Sequence, residues 1–258
     1  KTPLVIWLAE YLRGKGYRPG IISRGYGGQA SSWPQQVRAD SDPAMVGDEA
    51  VLMAGATQCP MAVGPDRVAT ARALVEHSDC DVILSDDGLQ HYALQRDIEI
   101  IVIDGVRRFG TGFSLPAGPL REPVQRLQEA DLVVINGLGS SNEHQMRMNP
   151  GAVHSLLDAS NTRRLSDFYP RAVHAVAGIG NPERFFQLLQ QQGLQVEKHA
   201  FPEHTQSMSE KDAVKCRYFA TENDWYIPVS VQMPPDFCQQ LDALLENRAD
   251  RKTPSGNL

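Results

Sequence analysis

Apolar positions 4, 5, 8, 9 and 12 of the opening stretch fall on one face of a helix, and Pro3 suits a first helical turn. The spacing predicts that this helix stops near Gly14-Lys15-Gly16. The pattern then changes to short, continuously apolar runs: Pro19–Ser23, Pro60–Gly64, Asp81–Ser85, Ile98–Asp104 and Leu132–Asn136. Between them lie helical patterns at Asp48–Gly55, at Asp66–His77 with apolar Val68, Ala71, Leu74 and Val75, and at Arg121–Ala130. Apolar strands alternating with helices predict a parallel sheet covered on both faces. Right-handed crossovers then place the strand-end loops on one edge, where such sheets bind ligands.

From Gly137 to Pro170 the alternation lapses into polar sequence, which reads as the end of a first domain and a linker. It resumes with a strand at Ala172–Ala177, a helix at Pro182–Gln192 after a capping Asn181, and a strand at Leu194–Phe201. A helix at Ser209–Phe219, a strand at Trp225–Val231 and a helix at Pro235–Asn247 are expected to follow. The expected division is a core over residues 1–160, a linker over 161–170, a smaller α/β domain over 171–250 and a disordered tail over 251–258.

Composition narrows the class without identifying it. A chain of 258 residues with 41% hydrophobic and 22% charged positions affords a real core. Its net charge of −6 argues against coating nucleic acid by counterion release, so no nucleic-acid partner is expected. The four cysteines, Cys59, Cys80, Cys216 and Cys238, form no C-x-x-C pair and read as buried thiols of a reducing compartment, not a disulfide framework or a zinc site. No apolar run approaches the roughly 18–20 residues that a membrane span needs.

Chemistry concentrates at a few places. Lys1-Thr2 opening a helix is what remains when a phosphate-binding loop, G-x-x-x-x-G-K-[ST], is cut just before its lysine; a cut inside an amphipathic surface helix reads the same. Asp86-Asp87 ends a strand, where nucleotide-binding sheets hold magnesium, although Asp-Asp-Gly is also a common turn. Asp48-Glu49 either caps a helix or supplies a general base. Arg24-Gly25-Tyr26-Gly27-Gly28 is a loop bearing a cation and a phenol, and Arg67 sits at a helix start where the dipole disfavours it. Gln90-His91 follows the acid pair, and Arg121-Glu122 closes a long Gly/Pro/Arg-rich loop from Gly105 to Pro123. His204, after a strand of the second half, is a candidate acid, base or orienting partner. Gly178-Ile179-Gly180-Asn181-Pro182 lacks the third glycine of a dinucleotide turn and is rejected as one.

Taken in order, the stretches 1–28, VGDEAVLMA (46–54), DDGLQH (86–91), LPAGPLREP (115–123), VHAVAGIGNPERFF (173–186) and EKDAVKC (210–216) resemble the tetraacyldisaccharide 4′-kinase family, the lipid A 4′-kinases of Gram-negative bacteria. The resemblance implies a P-loop NTPase-type α/β fold, with a mostly parallel sheet, helices on both faces and a smaller C-terminal α/β domain. It implies transfer of the ATP γ-phosphate to the 4′-hydroxyl of a tetraacylated glucosamine disaccharide 1-phosphate, with Mg2+. It also implies peripheral work at the cytoplasmic face of the inner membrane on that lipid A precursor.

Carried over by position, Lys1 and Thr2 match the ATP-binding lysine and the hydroxyl that meets magnesium. Asp48 matches the catalytic base and His204 the histidine that pairs with it. Asp86, Asp87 and Glu122 match the acids around the metal. Arg24, Tyr26, Arg67, Gln90, His91 and Arg121 match substrate-binding positions. The chain departs from the family in two respects. The P-loop glycines and an amphipathic segment that precede this lysine in the family are absent, so the chain as written is expected not to turn over. Thr205-Gln206 also stands where a second histidine usually follows His204. The rival readings are a P-loop ATPase switch or scaffold without a lipid acceptor, a non-catalytic binding module, and a small-metabolite kinase.

Overall fold

A computed structural model describes residues 1–137, 139–140, 143–158, 160–177, 182–200 and 220–252. The chain forms two interleaved compact units, Lys1–Gly88 with Pro150–Ser230 and Leu89–Asn149 with Val231–Leu258. This differs from the sequential division expected at residues 161–170.

In the first unit, α1 (Thr2–Gly14) buries Leu4, Leu8, Ala9 and Leu12, the face that its spacing predicts apart from the half-buried Val5. All five residues of β1 (Pro19–Ser23) are buried, which marks a strand covered on both sides. It pairs in parallel with β3 (Met61–Val63) and β4 (Val82–Ser85), while β2 (Gln35–Val37) runs antiparallel to β3. The order is β2-β3-β1-β4. Ile21 packs in a core with Ala9 of α1, with Val46 of α2 (Pro43–Val46) and with Ala50, Val51, Met53 and Ala54 of α3 (Asp48–Thr57). Side chains alternate along a strand, so Gly20 and Ile22 face the other way. There α4 (Arg67–His77) packs on β1 and β3, and a Cβ on Gly20 would lie 2.9 Å from Leu74 Cδ2. Helices therefore cover both faces.

The same unit contains a βαβ element in which β10 (Ala172–Ala177) and β11 (Gln195–Ala200) pair in parallel across α5 (Pro182–Gln191). Ala175, Phe186, Leu189 and Leu194 form its core. A small antiparallel sheet has the order β12 (Trp225–Tyr226), β8 (Val153–Ser155), β9 (Thr162–Arg163). In the second unit, β5 (Ile100–Asp104), β6 (Leu132–Asn136) and β7 (His144–Pro150) are parallel, in a sheet of order β13-β7-β6-β5 with β13 (Val229–Gln232). Phe237 and Leu241 of the helix Pro235–Lys252 are buried.

Five sequence expectations are corrected. The stretch Gly137–Pro170 is not a plain linker, because it carries β7, β8 and β9. β7 is polar, and β8 and β9 have only three and two residues, so periodicity hides them. The helix expected at Arg121–Ala130 is a 3-10 helix over Val124–Glu129. Pro123 holds the preceding residue extended, which keeps Arg121 and Glu122 out of it. The strand expected at Trp225–Val231 is two strands in different sheets, β12 and β13. Cys80 and Cys238 are only half-buried, whereas Cys59 is buried. The buried face of α4 holds Arg67, Thr70, Ala71 and Leu74, while Val75 is 52% exposed. The expected helix at Ser209–Phe219, the turn at 178–181, Cys216 and the tail from 253 lie outside the described residues.

The face assignment of α4 is testable by urea unfolding. Leu74→Ala lowers stability by about 2–5 kcal/mol through a core cavity, and Val75→Ala changes it by no more than about 0.5 kcal/mol. Equal costs would contradict the assignment.

Candidate active site

The parallel strands β3, β1 and β4 end together. Just past them, the Gly64 N–H donates to the Ser23 carbonyl at 3.1 Å and the Asp86 N–H to the Ile22 carbonyl at 2.9 Å. Asp66 caps α4 by accepting from the Val68 and Ala69 N–H groups at 2.9 and 3.0 Å, which places Arg67 at the first turn over this edge. Arg67 is 3% exposed. Its guanidinium donates to the Gly64 carbonyl at 3.2 Å and to the Asp86 carbonyl at 3.0 Å. Because β1 lies between β3 and β4, this one fork spans the end of the central strand. Its Nε has no hydrogen-bond partner among the described residues. Burial lowers the Arg67 pKa, and the charges of Asp86 and Asp87 oppose that.

Asp86 is 5% exposed. Its pKa is raised, first by burial and then by the neighbouring carboxylate of Glu49, while Lys1 opposes the shift. Asp87 adopts a left-handed backbone, φ 48°, which aspartate tolerates better than most residues. A Cβ on the next residue, Gly88, would sit 2.5 Å from Ser85 Oγ, so a side chain there would require that hydroxyl to move. The turn presents the Asp87 carboxylate to the Lys1 ammonium. Both side chains are nearly half exposed, so the pair contributes little stability and leaves the lysine available for exchange.

Asp48 and Glu49 occupy the first turn of α3, whose N-cap is Gly47. Gly47 has φ 93°, and a Cβ on it would lie 2.7 Å from the Tyr26 carbonyl oxygen. The Arg24–Gly28 loop is thereby laid directly on the start of α3. The Gln29 and Ala30 N–H groups fasten it by donating to the Ala44 and Met45 carbonyls at 3.0 and 3.2 Å. Tyr26 is 61% exposed, Arg24 is exposed, and Asp48 is half-buried. The first unit thus gathers Lys1, Arg24, Arg67, Asp86 and Asp87 at one sheet edge. Thr2 adjoins Lys1 as the first residue of α1, and Asp48 heads the helix that carries Glu49. Glu49 reads in sequence as a capping acid; its influence on Asp86 shows only in the fold.

Gln90, His91, Arg121 and Glu122 belong to the second unit. Gln90 Nε2 donates to Glu122 Oε1 at 3.3 Å, and the Tyr92 hydroxyl donates to the same oxygen. That contact raises the Tyr92 pKa. Tyr92 was not singled out by motif, although it directly follows Gln90-His91. His91 is half-buried and Arg121 is exposed. His204 lies outside the described residues.

The chain matches a family model described as LpxK, tetraacyldisaccharide-1-P 4′-kinase, over residues 1–246. A tetraacyldisaccharide 4′-kinase of Nitrosococcus oceani is 55% identical to it, covering 98% of this chain and 78% of the relative. One of Pseudoalteromonas atlantica is 48% identical, covering 96% and 85%. The crystal structure of LpxK from Aquifex aeolicus in complex with ATP superposes with a TM-score of 0.76, at 24% identity over 95% of this chain and 83% of that one. At that identity the likeness establishes a shared fold, the P-loop kinase type.

The buried Asp86 generates a prediction on pH. Its pKa is raised on folding, so the folded state holds the proton over a window beginning at the ordinary aspartate value and extending upward. Stability contributed by this group is full below that window and falls as pH rises through it. Asp86→Asn is expected to flatten this slope in urea unfolding followed across the window. An unchanged slope would refute the assignment.

Proposed function

Because the chain belongs to the tetraacyldisaccharide-1-P 4′-kinase family, we propose that the common end of β1, β3 and β4 is where it carries out that phosphotransfer. ATP is the proposed donor and the 4′-hydroxyl of the acylated disaccharide 1-phosphate the acceptor. The observation that carries this reading is the set of charges at one sheet edge: Lys1 against Asp87, with Asp86 buried beside them and Arg67 beneath. Phosphoryl transfer depends on positioning and charge neutralisation more than on covalent help from the protein.

In this reading Lys1 leaves Asp87 to neutralise phosphate charge as the nucleotide arrives. The Thr2 hydroxyl and the Asp86 and Asp87 carboxylates are hard oxygen donors of the type that magnesium prefers. The raised pKa of Asp86 fits that role, since a bound cation would relieve the cost of its buried negative charge. Magnesium, when bound, would supply neutralisation of the charge that develops on the transferred group. Asp48 takes the proton of the 4′-hydroxyl as its oxygen bonds to the γ-phosphorus and the bond to the bridging oxygen of ADP breaks. His204 is proposed to orient Asp48 or raise its basicity. Arg24 and Tyr26 are proposed to meet the phosphate groups of nucleotide or acceptor. Gln90, His91, Arg121 and Glu122 are assigned to acceptor and metal by resemblance, with Tyr92 and Gln90 fixing the Glu122 carboxylate.

No helix among the described residues is long and apolar enough to cross a membrane. We place the protein at the cytoplasmic face of the inner membrane, held peripherally by its lipid acceptor. With a net charge of −6, an anionic lipid must be drawn in by local cationic groups and not by overall charge.

The test is transfer of labelled γ-phosphate to the disaccharide 1-phosphate lipid, using a chain extended upstream through the glycine loop expected before Lys1. Asp48→Asn is expected to lower kcat by about 10²–10⁴ with little change in ATP affinity. ATP hydrolysis that ignores the lipid, or full activity in Asp48→Asn, would overturn the reading.

A further inference from the structure

The face of the β10–β11 sheet opposite its core carries side chains that the phosphotransfer does not use. Val173, Ala175 and Val196 pack with Phe186 and Leu189 of α5. The alternate positions form a different set. The parallel register sets His174 opposite Glu197, and the two-residue period of a strand puts His199 on the same face as Glu197. His174 Nδ1 and His199 Nε2 face each other at 2.9 Å. Glu197 completes a triangle, with Oε2 lying 3.5 Å from His174 Nδ1 and Oε1 lying 3.8 Å from His199 Nε2. Among the described residues this is the one group of three histidine, cysteine or acidic side chains whose ligand atoms all lie within 4.8 Å of one another.

We propose that His174, Glu197 and His199 form a binding site for a borderline divalent transition metal, with zinc(II) as the matching ion. A tetrahedral zinc with bonds of about 2.0–2.2 Å to nitrogen and oxygen sets its ligand atoms about 3.3–3.5 Å apart. The nitrogen–nitrogen separation of 2.9 Å and the nitrogen–oxygen separations of 3.5 and 3.8 Å, the last two to different oxygens of Glu197, lie close to that spacing. Two imidazoles and one carboxylate leave a fourth position for water. The donor set also separates this site from the phosphotransfer edge: imidazole nitrogen favours zinc, nickel or copper, whereas magnesium and calcium take oxygen.

The ligands lie on two different strands of a two-stranded sheet whose other face packs on α5. A metal bridging them clips β10 to β11, and its binding free energy adds to the stability of the folded form. His174 and Glu197 are well exposed and His199 partly so, which gives a solvent-borne ion direct access.

The test uses the full chain without a histidine tag. Cobalt(II), titrated as a visible spectroscopic probe, and zinc(II), followed by calorimetry, are each expected to bind at one equivalent per chain. The cobalt form should show the visible absorption of tetrahedral nitrogen and oxygen ligation. His174→Ala and His199→Ala should each weaken zinc at least about tenfold, and Asp87→Asn should leave it unchanged. Zinc should raise the thermal midpoint of the parent chain but not that of the doubly substituted one. No stoichiometric binding would overturn the proposal and leave the two imidazoles merely sharing a proton. Binding that survives in the double variant, or that depends on Asp87, would overturn it as well.

Discussion

The buried guanidinium of Arg67 is the interaction on which the candidate active edge depends. It reaches across the end of β1 to the carbonyls that follow β3 and β4, two strands that are not neighbours. Burying a cation costs several kcal/mol unless its donors are satisfied, and here two backbone carbonyls and the field of two aspartates offset that cost. In return the carbonyl of Asp86 is fixed, and with it the start of the Asp86-Asp87-Gly88 turn. A lysine could not reproduce this, because one ammonium cannot fork to two carbonyls in the plane that a guanidinium provides. Arg67 stands at a helix start, where the dipole opposes it, because the strand ends need a donor there more than the helix needs an acid.

The same economy explains the acidic pair. Asp86 is buried beside Glu49 and is poorly disposed to hold its charge unless a cation approaches. Asp87, exposed on its left-handed turn, holds Lys1 loosely. One carboxylate is buried and the other exposed and ion-paired, and both are presented by a single turn. Gly47, by admitting the Tyr26 carbonyl, brings the loop of Arg24 and Tyr26 to the helix that carries Asp48. Backbone contacts too close for any Cβ thus link the loop to the candidate base.

Much of this was legible in the sequence because β1, β3, β4, β5 and β6 are continuous apolar runs and α1, α3 and α4 carry clear start and stop signals. The acids at strand ends could be placed at one edge from topology alone. What could not be read were features that depend on tertiary contact. β7 is polar, and β8 and β9 have only three and two residues, so their pairing partners and not their periodicity define them. The buried side of α4 escaped notice because Arg67 and Thr70 belong to it while Val75 does not. Glu49 reads as a capping acid until Asp86 is placed beside it. The metal-type face of β10–β11 is invisible in sequence because His174 lies more than twenty residues from Glu197 and His199, and only the parallel register joins them.

The measurement that tests this account most directly is the magnesium-dependent affinity for ATP of Arg67→Lys, compared by calorimetry with the parent in a chain extended through the expected glycine loop. If the fork across β1 sets the geometry of the acidic turn, affinity falls by about tenfold or more and its magnesium dependence shrinks, while the far-UV circular dichroism stays that of the parent. Unchanged, fully magnesium-dependent affinity in Arg67→Lys would show that the turn is positioned by something else.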